Sequence, residues 1–374
     1  MTLRERIEQE IREQGPIPFS RYMELCLYEP ELGYYARRKE QFGKVGDFYT
    51  SSDVHAIFGR LMARQFEEMW RALGSPKRIE IVELGPGRGL FARDALGWSR
   101  QKFPDFYTAL HYALVESSDV LREKLASTLS AYISTQKASV EKNLASRIPT
   151  EDVIVFANEF FDALPVEVLS NHGAMRVAWE AERFVESFVS ASAAEMEYLD
   201  RYSIHPEEGD RIEAGLEAQR WMQHITAVVP HGFVVIIDYG YVREELLAGR
   251  HRGTIMCYRQ HSASDNPYEA PGEQDMTAHV NFTALRAAGE RTGLDCLGLV
   301  TQAQFLMGVG EETQFFDAFE GARLPHERAK RALQLKHLVT PAGMGETFQV
   351  LVMAKGVEIE KAAGLSGLKF VSRS

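Results

Sequence analysis

A doubly wound α/β fold with a mostly parallel sheet is what the sequence predicts, and three observations predict it. Short apolar runs rich in β-branched residues recur at Ile79 to Leu84, Tyr112 to Val115, Val153 to Ala157 and Val234 to Ile237, as strands buried on both faces do. Helical spacing follows the first run, with Phe91, Ala95 and Trp98 on one face. A glycine-rich turn joins that run to its helix, so the order is β-α-β, and crossover handedness fixes the winding.

The elements follow in order. Residues 1–73 read as an N-terminal helical region, interrupted by a break at Gly15-Pro16-Ile17-Pro18 and by a Gly/aromatic loop from Gly33 to Ser52. That loop is long for a mere connection, and long loops tend to be functional. The core is expected over 74–357, with insertions at about 168–231 and 301–346 and a tail over 358–374. A weakly marked third strand falls near Ser139 to Glu141. The first insertion opens with a hairpin around Asn171-His172-Gly173, followed by a helix with Ala214, Ala218, Trp221, Ile225 and Val228 on one face. After Gly240 come a polar loop, a helix from about Phe282 to Arg291 and an apolar run near Leu297. The closing strand at about Phe348 to Ala354 is separated from that run by an insertion, which suits a last strand that slots in antiparallel.

The 374 residues, 45% hydrophobic and 25% charged, suffice for a large core. No stretch approaches the roughly 18 apolar residues of a membrane span. The charged N-terminus (Arg4, Glu5, Arg6, Glu8) does not read as a signal peptide, so the expected location is cytoplasmic, without membrane insertion. Cys26, Cys257 and Cys296 lie far apart and predict neither a disulfide framework nor a metal site. A net charge of -11 argues against a nucleic-acid partner.

The strongest motif is Glu83-Leu84-Gly85-Pro86-Gly87-Arg88-Gly89, at a strand-to-helix turn. Gly85, Gly87 and Gly89 let the backbone turn sharply and approach a ligand, and the helix N-terminus supplies free N–H donors. Those donors suit the carboxylate of a methionine moiety as well as a phosphate. A dinucleotide fingerprint wants its third glycine where Leu90 stands, and a P-loop needs a Gly-Lys-Ser/Thr ending that is absent. The plain alternative is a structural turn without a ligand.

Glu116 ends the second run, the position from which a carboxylate accepts both ribose hydroxyls of a nucleoside cofactor, with Ser117 beside it. It lies somewhat beyond the usual roughly 20 residues from the turn, which calls for an elongated connection through Gln101 to Phe106. A third constellation, Asn158-Glu159-Phe160-Phe161-Asp162-Ala163-Leu164-Pro165, follows the run ending at Ala157. Its amide, carboxylates and rings suit a cationic acceptor, although a polar cap with a hydrophobic staple reads the same way. No nucleophile elbow or zinc-protease motif occurs, and His279 near Asp275 is a weak candidate for substrate contact.

With these residues in hand, the chain resembles the MidA family, which includes the mitochondrial complex I assembly methyltransferases. The matching blocks begin at Gly15-Pro16-Ile17-Pro18-Phe19, with Met23 and Leu27-Tyr28-Glu29-Pro30 after it, and continue through Leu32-Gly33-Tyr34-Tyr35 and Gly46-Asp47-Phe48-Tyr49-Thr50-Ser51. They go on through the glycine turn, the Asn158 to Pro165 segment, Ile237-Asp238-Tyr239-Gly240, Asp275-Met276-Thr277-Ala278-His279-Val280 and Met344-Gly345-Glu346. The chain departs from the family's pattern at Ser52, Asp53, Arg60 and Asn281, where proline, glutamate, another residue and aspartate are usual.

The resemblance implies a class I methyltransferase, Rossmann-like with its last strand antiparallel, using S-adenosylmethionine and directed to arginine on a protein partner such as a respiratory complex I subunit. A homodimer stays open. Glu83, Gly85, Gly87, Gly89, Glu116, Ser117 and Asn158, with Gly46, Asp47, Thr50 and Ser51 in a covering loop, are then the expected cofactor residues. Asn158, Glu159 and Asp162 are the expected catalytic set, with Phe160, Phe161, His279 and Asp275 toward substrate. An arginine guanidinium stays protonated, so carboxylates must pair it and aim one nitrogen at the methyl group. Two rival readings remain: an assembly factor that keeps the fold without catalysis, and a small-molecule methyltransferase.

Overall fold

The structure, a computed structural model, describes residues 1–37, 56–145, 147–247, 253–259, 262–341 and 343–371. It comprises two compact units, each drawn from several parts of the chain. The first takes described residues from 1–48, 160–222 and 240–288, and the second from 49–159, 223–239 and 289–374.

The second unit is built on one sheet. Its strands are β1 (Ile79–Leu84), β2 (Leu110–Val115), β3 (Ala138–Glu141), β4 (Asp152–Asn158), β5 (His231–Tyr241), β6 (Asp295–Thr301) and β7 (Phe348–Lys355). Their spatial order is β3-β2-β1-β4-β5-β7-β6. The first five pair in parallel, and β7 lies antiparallel to both β5 and β6. This is the doubly wound sheet with an antiparallel last strand that the sequence predicts.

All six residues of β1 are buried, which explains its mainly apolar reading, interrupted only by Glu80 and Glu83. Helices Ala56–Ala72 and Leu90–Lys102 lay aromatic side chains on the sheet: Phe91 stacks on Phe156 with ring centroids 4.6 Å apart, and Phe66 meets Phe156 edge-on at 5.5 Å. Truncating one such ring costs about 3–5 kcal/mol. The C-terminal segment is pinned to this core by polar bonds. Ser366 donates its N–H and hydroxyl to Glu68, each at 2.9 Å, and the Gly367 N–H donates to Gln65 Oε1 at 2.9 Å.

The first unit contains a five-stranded antiparallel sheet in which Ile17–Pro18, Gly173–Glu180, Glu167–Ser170 and Ile212–Ala214 lie side by side, with Arg183–Val189 also on Gly173–Glu180. Helix Leu3–Gln14 covers it with Leu3, Ile7 and Ile11, residues spaced for one helical face. The hairpin at Asn171-His172 forms as predicted, with Leu169 opposite Ala174. Two expectations are corrected. Ala214 ends a strand, and the helix runs over Leu216–Val228. The stretch after Gly240 also holds a small sheet of Met256–Arg259, Ser262–Ser264 and Asp275–Thr277.

Candidate functional site

In the second unit the register sets the residues. Leu84 pairs with Val115 on one side and with Ala157 on the other, so Gly85 and Glu116, just past β1 and β2, and Asn158, the last residue of β4, share the carboxyl ends of three neighbouring strands. That rim is where open α/β sheets take their ligands.

The turn after β1 is held by Gly85 N–H to Val115 O at 3.1 Å and Gly89 N–H to Pro86 O at 2.9 Å. Gly85, Gly87 and Gly89 all have positive φ (59°, 52° and 74°), a backbone that side chains rarely adopt. At Gly89 a Cβ would also fall 2.8 Å from Leu125 Cδ2. Among the described residues no side chain caps the helix that Gly89 begins, so its first N–H groups are left for water or an anionic ligand. Glu83 lies beneath this turn. Burial pushes its carboxyl up to about 8, against the hydrogen bond it accepts from Tyr112 Oη at 2.9 Å.

Glu116 is buried at the end of β2, where its Oε1 accepts the Ser118 N–H at 2.8 Å. Burial raises it to about 7, and the N–H groups of Ser118 and Ser117 and the charge of Arg122 hold it from going higher. Ser117 is exposed, and its carbonyl accepts from Arg122 at 2.7 Å. Asn158 ends β4; its amide N–H donates to Glu159 Oε1 at 3.0 Å, while its Oδ1 is buried without a hydrogen-bond partner among the described residues. Glu159 has φ 51° with its N–H on Ile237 O, a left-handed backbone costly for a non-glycine residue and concentrated at functional sites.

In the first unit Phe161 and Asp162 are buried, and Phe160 packs edge-on against Phe161 and Trp221 at 5.4 and 4.9 Å. The Asp162 carbonyl accepts the Ala278 N–H at 2.9 Å, which ties this segment to the one bearing Asp275 and His279. Asp275 is 1% exposed and accepts from Tyr35 Oη and from the Met276 N–H, both at 3.0 Å. Burial raises Tyr35 well above the usual tyrosine range, and the nearby charges of Asp275 and Asp162 add to it. His279 is half-buried and lines a small cavity with Phe161, Tyr198, Glu213 and Gln219.

Gly46, Asp47, Thr50 and Ser51 lie outside the described residues. Tyr112 and Tyr35 received no role from the sequence. The only hint of Tyr35 was the Gly33-Tyr34-Tyr35 run, whose register against Asp275 depends on distant contacts. Among the described residues no group of three or more His, Cys, Asp or Glu could hold a metal ion.

A family model described as "Putative S-adenosyl-L-methionine-dependent methyltransferase" matches residues 61–300. The chain is 31% identical to the protein arginine methyltransferase NDUFAF7 homolog, mitochondrial, of Drosophila melanogaster, over 95% of this chain and 85% of that protein. It is 28% identical to protein arginine methyltransferase NDUFAF7, mitochondrial, of Homo sapiens, over 92% of this chain and 81% of that one. A crystal structure from Burkholderia thailandensis with bound S-adenosyl-homocysteine superposes with a TM-score of 0.86 at 29% identity, covering 100% of this chain and 95% of that one.

Proposed function

Since the chain belongs to the family of S-adenosyl-L-methionine-dependent methyltransferases, we propose that it transfers the methyl group to an arginine of a protein partner. The cofactor supplies an electrophilic methyl on a sulfonium centre. The observation that carries the reading is the rim of β1, β2 and β4: a glycine turn with uncapped N–H donors, a buried acid on the next strand, and the unpartnered Oδ1 of Asn158. These fit the three polar ends of the cofactor. The uncapped N–H groups take the carboxylate, Asn158 Oδ1 takes the amino group and orients the donor, and ionised Glu116 accepts from the ribose hydroxyls, with Ser117 beside it.

Methyl transfer forms a nitrogen–carbon bond as the sulfur–carbon bond breaks, and the nitrogen then gives its proton to a base. Positioning supplies most of the acceleration. Glu159 and Asp162 are assigned to holding the guanidinium, and Asp275 and Tyr35 to keeping negative charge on the acceptor side. Phe160, Phe161 and His279 are assigned to substrate contact, and the Gly46 to Ser51 segment to covering the cofactor. Arginine is favoured by the names of the relatives and by the carboxylates in the Asn158 to Pro165 segment. A respiratory complex I subunit, the partner implied by the family resemblance, is the first acceptor to test.

The test is a calorimetric titration with S-adenosylmethionine beside NAD, repeated on Glu116→Ala, followed by methyl-label transfer to candidate acceptors. Saturable binding of S-adenosylmethionine alone, weakened in the variant, with label appearing on arginine, supports the reading. Label on a small molecule would redirect it. No binding by folded protein would favour the non-catalytic assembly factor.

A further inference from the structure

Helix Pro325–Val339 in the second unit has two unlike sides. Its inner side is anchored: Leu338 is buried, Leu335 and Val339 pack on the core, the Leu338 carbonyl accepts from Gln302 Nε2 at 3.0 Å, and Arg331 donates to the carbonyls of Ala318 and Glu320. Its outer side is bare. Ala329, Leu333 and His337 follow one another at four-residue spacing, with Ala332 and Lys336 on the adjoining row, and all are exposed. Leu333 is 69% exposed, and Leu324, just before the helix, 51%.

Arg328, Lys330 and Lys336 surround Leu333 on this exposed side and have no ion-pair partner among the described residues. The helix carries one carboxylate, Glu327, which bonds back to the N–H groups of Arg323 and Leu324. This local positive face stands on a chain of net charge -11, so it is no consequence of overall composition.

We propose that the outer face of Pro325–Val339 docks on the surface of an anionic lipid bilayer, lying in the interface without crossing it. One exposed leucine, Leu333, with Ala329 and Ala332 beside it, stands among long cationic side chains, and in interfacial helices apolar side chains enter the acyl boundary while Lys and Arg reach the headgroups. The face is a convex helix, which suits a planar partner better than a peptide that must be clasped. No helix among the described residues is long and apolar enough to span a membrane, so attachment is peripheral and reversible. The inference is independent of the methyl acceptor.

The test is sedimentation of the full chain with phosphatidylcholine vesicles, with and without phosphatidylglycerol. Binding is expected only to the phosphatidylglycerol vesicles and is lost at about 0.5 M salt, where screening shortens to a few ångströms. Each cation is worth about a five-fold gain in partition at an acidic surface, so the triple variant Arg328→Gln/Lys330→Gln/Lys336→Gln should bind about a hundred-fold more weakly. Leu333→Ser should cost about ten-fold, and Leu333→Trp should strengthen binding at unchanged charge. The substituted side chains are exposed, so an unchanged thermal midpoint is expected and checks the fold. Equal binding to neutral vesicles, no vesicle binding, or an unaffected triple variant overturns the proposal. Retention on polyglutamate without vesicle binding would assign the face to an acidic protein and overturn it too.

Discussion

The hydroxyl of Tyr112 on β2 donates to the carboxyl of Glu83 on β1 at 2.9 Å, inside the sheet and beneath the glycine turn. Burial raises this acid to about 8, so at neutral pH it is largely protonated in the folded chain and ionised in the unfolded one. Its stabilising contribution is complete below about 4.5 and is lost as pH rises through 8. Chemical denaturation of the ligand-free protein should therefore show stability falling from pH 5 to 8, by on the order of 4 kcal/mol from this group. Glu83→Gln should flatten that slope. An unchanged slope would mean that Glu83 is already ionised at pH 5.

Glu116 offers a separate pH signature, in binding. Its buried carboxyl titrates at about 7, and only the ionised form accepts from two ribose hydroxyls. Affinity for S-adenosylmethionine should fall about ten-fold for each pH unit below 7. Glu116→Gln should bind about 10- to 100-fold more weakly at pH 8 and lose the dependence. Calorimetry over that range decides, and parallel pH curves for the two proteins would remove Glu116 from the ribose.

Gly89→Ala combines an unfavourable left-handed φ of 74° with a Cβ 2.8 Å from a Leu125 methyl. A loss of about 2 kcal/mol in stability is expected, with weaker cofactor binding because the first helical N–H groups shift. Gly97→Ala lies inside the same helix, where the nearest atom is the Tyr132 hydroxyl at 3.5 Å. It should leave cofactor affinity as it is. Equal effects of the two would show a general helix defect.

Tyr35→Phe removes the phenol that donates to Asp275 and substitutes no residue of the β1–β4 rim. The expected result is a drop of about 10- to 100-fold in label transfer to arginine at unchanged S-adenosylmethionine affinity. Wild-type turnover would sever the link between this pair and the acceptor.

The mostly parallel sheet was legible because β1, β2, β4 and β5 are largely buried and read as short, mainly apolar runs. The rim was legible for a related reason: glycine at positive φ and an acid closing an apolar strand are local signals. β3 was weak because only its first residue, Ala138, is buried. The turn at Ala181-Glu182 was invisible, since both take positive φ (46° and 62°) without a glycine or asparagine to announce it. The phenol on Asp275 joins residues 240 positions apart, a contact that no local pattern encodes.

β7 is the last strand of the sheet to leave the ribosome, yet it belongs between two strands made earlier. Until it emerges, the nascent chain holds β5 and β6 with unfilled edges facing the gap, the kind of surface that recruits stray strands. A truncation just before Phe348 would freeze that state. The order of synthesis therefore makes the finished sheet a late event, and chaperone demand from these open edges should last until Phe348–Lys355 has been made.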